Sequence, residues 1–347
     1  MSSTPSSDQI QKPICVVFDT NIWISGRLLK SGTGKAMIFA IKQLEGYIGL
    51  LEVIKRETII NLKKDCIEAG KKLKINLELI EDIIGKKINK FTPINPLEFE
   101  KAVINRFDEL KKMIIDVSFS KEHASSALDR VIEGTPPNGP KNQQFKDSAI
   151  WEAILELAKS YNVHFITSDG NFFKDRNVNL GLAPNLENEC KELGVNIPIY
   201  ESLEMGLKYI GVTAPSFDYV KPLEEIDKII KEELGKNAES KNFIVGEKQK
   251  HGINHYLTEK PDVLGLTFRI QYNLVEAKEI ERIERLRPEA TVIGECSYNR
   301  DENTVYDIRV DTIEYKWFDV EGKEVCSRSI FVRVGSLMAI GQVPSVM

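Results

Sequence analysis

Two kinds of apolar spacing divide this chain. In its first part, unbroken apolar runs alternate with stripes of helical period. Val16, Val17 and Phe18 follow one another with no polar residue between them, the pattern of a parallel strand covered on both faces. The next segment offers Thr33 as a helix cap, with Ala36, Met37, Ala40, Ile41 and Leu44 behind it at helical spacing. A short apolar piece, Tyr47 to Leu51, leads into a stretch from Glu52 to about Phe119 whose Ile, Leu, Lys and Glu content predicts several helices. Prolines and glycines between Glu133 and Gln144 predict a surface loop. Ile150, Ile154 and Leu157 then make one helical stripe, Val163 to Thr167 a second buried strand, and Val195 to Tyr200 a further strand before a helix from Glu201 to about Ile210. The expected fold class is α/β, an open and mostly parallel sheet with crossover helices and a helical insertion, over residues 13–210.

The period changes after a linker at residues 211–222. A helix from Leu223 to Leu234 is followed by Leu264, Leu266, Phe268, Ile270, Tyr272 and Leu274, each separated from the next by a glycine or a polar residue. That is period two, a strand with one buried face. Ile313, Tyr315 and Trp317 alternate likewise, Asp319 to Glu324 reads as a turn, and the alternation resumes at Ile330. Residues 223–347 are therefore expected to form an α+β domain ending in a mostly antiparallel β module. The polar residues 1–12 read as disordered.

Length and charge narrow the choices. A chain of 347 residues with 42% hydrophobic content can bury two cores. A net charge of −5, with neither half basic, leaves nucleic-acid binding to a local patch. Cysteines 15, 66, 190, 296 and 326 make no C-x-x-C pair for zinc or redox work, and fit a reducing compartment. Without a signal-peptide core or an apolar stretch of membrane-spanning length, the protein is expected to be cytoplasmic, with no membrane partner.

The candidate chemistry lies in acids that end apolar segments. Asp19 and Asp169 close two strands of one sheet, at the carboxyl edge where open α/β sheets bind ligands. Asp147 continues the stripe of Ile150 and Ile154, and Glu57 stands one turn into the helix after Leu51. If the four converge, their mutual repulsion opposes ionisation unless a cation neutralises it. Magnesium or manganese suits such oxygen donors, and either ion can activate water against a phosphodiester. Taken singly, each acid has a plainer use: Asp147 would complement its helix N-terminus, Asp19 and Asp169 would start turns, and Glu57 would be one exposed glutamate among many.

Together these segments resemble the PIN-domain ribonucleases. Phe18-Asp19-Thr20-Asn21 resembles the opening strand and D-T/S-N motif of that family. Glu57 falls where the family has its second acid, Phe145 to Ala158 resembles the helix of the third, and Thr167-Ser168-Asp169 with Phe172 is similar to the T-x-D-x-x-F segment of the fourth. The resemblance covers about residues 13–205. It implies that Asp19, Glu57, Asp147 and Asp169 ligate one or two Mg2+ or Mn2+ ions and hydrolyse single-stranded RNA, leaving 5′-phosphate and 3′-hydroxyl ends. Thr20, Asn21, Thr167 and Ser168 would orient the ligands or the scissile phosphate. Many members carry a further acid where this chain has Asn171, which bears on a second metal. PIN-like domains also often pair, so a homodimer or an inhibitory protein partner, as in toxin–antitoxin systems, belongs to the expectation. Arg130, Lys141 and Lys146 flank the Pro/Gly loop as candidate phosphate contacts, and lysines between about Glu68 and Phe119 as further grips on the RNA backbone.

Two other constellations carry less. His251 and His255 have helical i, i+4 spacing but lack the glutamate of H-E-x-x-H, and Ser31 to Met37 lacks the spacing of a phosphate loop. Two other classes fit the same acids: an RNA-binding or protein-interaction scaffold without turnover, and a structure-specific DNA nuclease.

Overall fold

The apolar run at the start of the chain becomes β1 (Ile14–Phe18), in which Cys15 to Phe18 are fully buried. A strand without an exposed face needs neighbours on both edges and cover on both sides, and the chain supplies them by alternating strands with helices. The computed structural model describes residues 12–87, 95–138, 143–212, 215–216, 218–239, 243–276, 286–333 and 336–340. After β1 come α1 (Thr20–Ser25), α2 (Gly32–Gln43), β2 (Tyr47–Leu51), α3 (Glu52–Ile84), α4 (Pro96–Glu109), β3 (Ile114–Val117) and α5 (Lys121–Glu133). They are followed by α6 (Phe145–Ala158), β4 (Asn162–Ile166), α7 (Pro184–Glu192), β5 (Ile199–Tyr200) and α8 (Leu203–Ile210). The strands pair in the order β3-β2-β1-β4-β5, and every pairing is parallel. The chain thus builds outward from β1 to β3 and then returns to the other side of β1. This leaves a topological switch between β1 and β4, where the carboxyl ends of strands open a crevice.

By packing, the chain divides into two units: Met1–Ile24, Ile41–Lys63 and Asn95–Gly206 form the first, and Ser25–Ala40, Lys64–Ile94 and Leu207–Met347 the second. In the first, Trp23 stands edge-on to Phe18 at 5.6 Å and to Phe107 at 5.1 Å, while Phe172 meets Phe165 edge-on at 5.1 Å. These pairs anchor the chain just beyond β1 and β4. A Cβ on Gly49 of β2 would come within 2.8 Å of Val17 and 2.9 Å of Leu157, so glycine there lets α6 lie close on the sheet.

The second unit contains α9 (Val220–Glu239) and an antiparallel meander, β6 (Phe243–Leu257), β7 (Val263–Glu276), β8 (Arg287–Asn299), β9 (Thr304–Phe318), β10 (Glu324–Arg333) and β11 (Ser336–Ile340). Leu223, Ile226, Ile230 and Leu234 of α9 share a core with Leu266, Phe268, Ile270 and Tyr272 of β7, as the period-two pattern requires. The same unit holds the start of α2. Buried Glu295 accepts the backbone N–H of Thr33 at 3.1 Å and also its hydroxyl, while Arg309 Nη1 donates to the other carboxylate oxygen at 3.3 Å. A buried glutamate with every partner in place is stable there; nothing in the sequence pairs residues 262 positions apart.

Several expectations change. The stretch to Phe119 is not all helix, because Ile114–Val117 is the edge strand β3; it is four residues long and only Val117 is buried, too little for a period to register. The strand expected from Val195 is reduced to Ile199–Tyr200, since Pro198 has no N–H to extend the ladder and offers only its carbonyl, to Phe165 N–H. The helix expected from Leu223 begins at Val220, whose N–H is capped by Asp218. Ser31, not Thr33, caps α2 through the Gly34 N–H. His251 and His255 lie on β6, where four residues separate side chains by roughly 13 Å along the strand, so helical ligand spacing does not arise. Of residues 1–12, expected to be disordered, 1–11 lie outside the described residues, while Lys12 donates to the Ala158 carbonyl at 2.9 Å. No helix among the described residues is long and apolar enough to cross a membrane.

Candidate active site

A carboxylate ends the buried β1 because the crevice supplies donors for it. Asp19 continues the ladder through its N–H to the Ile166 carbonyl at 2.9 Å, and its side chain is only 7% exposed. One oxygen accepts the Thr20 N–H at 2.7 Å; the other accepts the Thr167 hydroxyl at 2.7 Å and the Asn21 amide at 3.0 Å. Fully buried Thr167 in turn accepts the Asp169 N–H at 3.0 Å. One hydroxyl therefore ties the ends of β1 and β4 together across the switch point.

The remaining candidates lie around this pair. The Thr20 hydroxyl donates to Glu57 Oε2 at 2.9 Å, and Lys146 Nζ pairs with the other Glu57 oxygen. Ser168 is exposed and its N–H reaches Asn21 Oδ1 at 3.5 Å. Asn171 contributes its backbone N–H to Asp169 Oδ1 at 2.9 Å, capping the short 3-10 turn Gly170–Phe172. Asp147 lies in the first turn of α6, half-buried, and no donor among the described residues hydrogen-bonds to it.

The charges of the four acids act on one another. Burial pushes the Asp147 carboxyl up to about 7, reinforced by the charges of Asp169, Asp19 and Glu57 and opposed by Lys146. Burial likewise pushes Asp19 up to about 6, although its hydrogen bonds from Thr167 and Thr20 pull the other way; Asp169 and Glu57 add repulsion. Even so, no three His, Cys, Asp or Glu side chains among the described residues stand close enough to hold a single ion as they are. Asp19, Glu57 and Asp169 each accept from protein donors, and among the described residues Asp147 has none. By chemistry the four residues suit a hard dication, since they offer carboxylate oxygens alone, and Asp147 is half-buried with no hydrogen-bond donor among the described residues.

The expected phosphate contacts separate. Lys146 is at the site. Arg130 is not available, because its guanidinium is 12% exposed and donates to Glu152 at 2.5 Å and to both oxygens of Glu189 at 2.7 and 2.5 Å. Two acids on neighbouring helices consume the fork that was expected to meet RNA. Lys141 lies outside the described residues. Of the lysines on the helical stretch, Lys74 is paired within its own helix, with Glu78.

A pocket of about 330 Å3 adjoins Glu57 and Lys146 and is lined also by Glu52, Arg56, Phe119 and Phe145. Phe119 and Phe145 do not stand out in the sequence, because an aromatic at a helix start or after a short strand carries no period of its own.

Residues 16–173 match the family model described as PIN domain, and the parallel sheet they contribute to is PIN-like, as the motifs imply. PIN domains have a nuclease-type fold. Neither a curated protein nor a solved structure matches the chain at a significant level.

Proposed function

We propose that this PIN domain is a metal-dependent endoribonuclease acting on single-stranded RNA. The observation that carries the reading is Asp147: a half-buried carboxylate to which no donor among the described residues hydrogen-bonds, and on which the charges of Asp169, Asp19 and Glu57 act. Asp19, Glu57, Asp147 and Asp169 would hold Mg2+ or Mn2+, which supplies an activated water and neutralises charge on the phosphodiester under attack. Thr167 fixes the Asp19 carboxylate by its 2.7 Å bond, and Asn21 secures the same oxygen. Thr20 holds Glu57 from the far side. Lys146, now the cation at Glu57, is 62% exposed and free to swing to an RNA phosphate once another positive charge serves that carboxylate. Water enters at the phosphorus and the 3′-oxygen leaves, so 5′-phosphate and 3′-hydroxyl ends result.

Two observations favour a second reading, a PIN-like scaffold without turnover: Lys146 already neutralises Glu57, and Asn171 stands where many PIN domains have an acid. The two readings part on incubating full-length protein with 5′-labelled single-stranded RNA. Cleavage with Mn2+, its loss in EDTA, and little cleavage of DNA of the same sequence are expected. Mn2+ at about a hundred times its dissociation constant is also expected to raise the melting temperature by roughly 5–10 °C. No cleavage and no Mn2+-dependent rise would leave the scaffold; equal cutting of DNA would make the substrate class wrong.

A further inference from the structure

The pocket beside Glu57 has the composition of a stacking site. Phe119 follows β3 by two residues, at the carboxyl edge of the sheet, and Phe145 opens α6 immediately before Lys146 and Asp147. The two residues are 38% and 40% exposed, and both line the same 330 Å3 space. Single exposed aromatics are ordinary on protein surfaces; two on one pocket with cations beside them are not. Glu52 builds the wall by two contacts: it accepts the Phe119 N–H at 2.8 Å and pairs with Arg56 Nη2 at 2.5 Å. Arg56 remains 73% exposed and Lys146 62%, so although each is paired with a glutamate of the lining both cationic ends are within reach of a phosphate in solvent, while the pocket lining is largely apolar. The volume lies at the small end of ligand pockets and suits one nucleoside-sized group. Unpaired bases are recognised by such aromatic faces and guanidinium planes, whereas bases in a duplex are already stacked and cannot enter.

We propose that this pocket is a base-stacking subsite that holds one unpaired nucleobase of the RNA strand next to the acidic centre, with Arg56 on its neighbouring phosphate. The identity of the strand rests on the endoribonuclease reading above. The subsite places the base two residues along α6 from Asp147 and makes selection of single strands a property of Phe119 and Phe145.

The test is fluorescence anisotropy of a labelled single-stranded RNA octamer with the full-length protein in EDTA, where binding is read without cleavage. Phe119→Leu and Phe145→Leu keep the apolar volume and are each expected to weaken binding about five- to hundredfold, with an unchanged slope of log affinity against log salt. Phe119→Trp is expected to retain wild-type affinity. Arg56→Gln is expected to reduce the salt slope by about one. An octamer lacking bases should bind wild type and Phe119→Leu alike. If both leucine variants melt as wild type and bind the RNA as tightly while wild type still cleaves it with Mn2+, the subsite is wrong and the nuclease reading stands. If wild type neither binds nor cleaves RNA, both are overturned.

Discussion

Replacing Asp147 by asparagine is expected to cut RNA cleavage about 10²–10³-fold and, in the same protein, to raise the melting temperature measured in EDTA above pH 7. The two effects share one cause. In the folded chain burial, reinforced by the charges of Asp169, Asp19 and Glu57, pushes the Asp147 carboxyl from its ordinary 3.8 up to about 7. A carboxyl whose folded value is raised holds its proton more tightly folded than unfolded. Its cost to stability is therefore absent below about pH 4, grows as pH rises, and is complete above about pH 7. Asparagine never ionises and escapes that cost, about 4 kcal/mol for the full shift and on the order of 1–3 kcal/mol once solvent screening of the half-buried group is allowed for. The difference in melting temperature between variant and wild type should thus be near zero at pH 4 and largest at pH 8. Saturating Mn2+ should invert the order, because the charge that destabilises the metal-free fold is what draws the ion. Melting curves at pH 4, 6 and 8, with EDTA and with Mn2+, read all of this. Wild type at least as stable as Asp147→Asn in EDTA at pH 8 would remove the electrostatic basis of the site.

What could be foreseen of this molecule follows the range of the forces involved. β1 and β4 were legible because a strand buried on both faces writes an unbroken apolar run, and β7 because a strand buried on one face writes strict alternation. Asp147 was legible as an acid in the place of a core residue on the Ile150 and Ile154 stripe. β3 was not, since an edge strand of four residues with one buried side chain has no period to read. Arg130 misled for a different reason. Its partners stand 22 and 59 residues away, and only the fold brings Glu152 and Glu189 to the same guanidinium. The pocket of Phe119 and Phe145 depends on three elements meeting, as does the grip of Glu295 on Thr33 within the second unit. Local patterns record burial; they do not record which polar groups meet across the chain.

Arg130→Met is expected to cost about 3–5 kcal/mol, a fall of roughly 6–20 °C in melting temperature, while leaving the RNA affinity of the folded protein within a fewfold of wild type. Burial alone would lower the Arg130 pKa, but hydrogen bonds to Glu189 and Glu152 outweigh it and hold the guanidinium more firmly charged than usual. Its fork binds Glu189 bidentately, and Glu189 also accepts the Trp151 indole N–H at 2.9 Å, so one ion cluster clamps α5, α6 and α7 together. Methionine fills similar volume but strands two part-buried carboxylates, and that uncompensated charge is the main source of the loss. Lysine should recover only part of it, because a single ammonium cannot reproduce the fork. The variant Arg130→Met/Glu152→Leu/Glu189→Gln removes the stranded charges and keeps an acceptor for Trp151, and it should regain most of the stability. A triple variant no more stable than Arg130→Met would assign the loss to packing. If Arg130→Met instead melted as wild type and bound RNA tenfold more weakly, Arg130 would be a phosphate contact after all, and the ion cluster only a resting place for it.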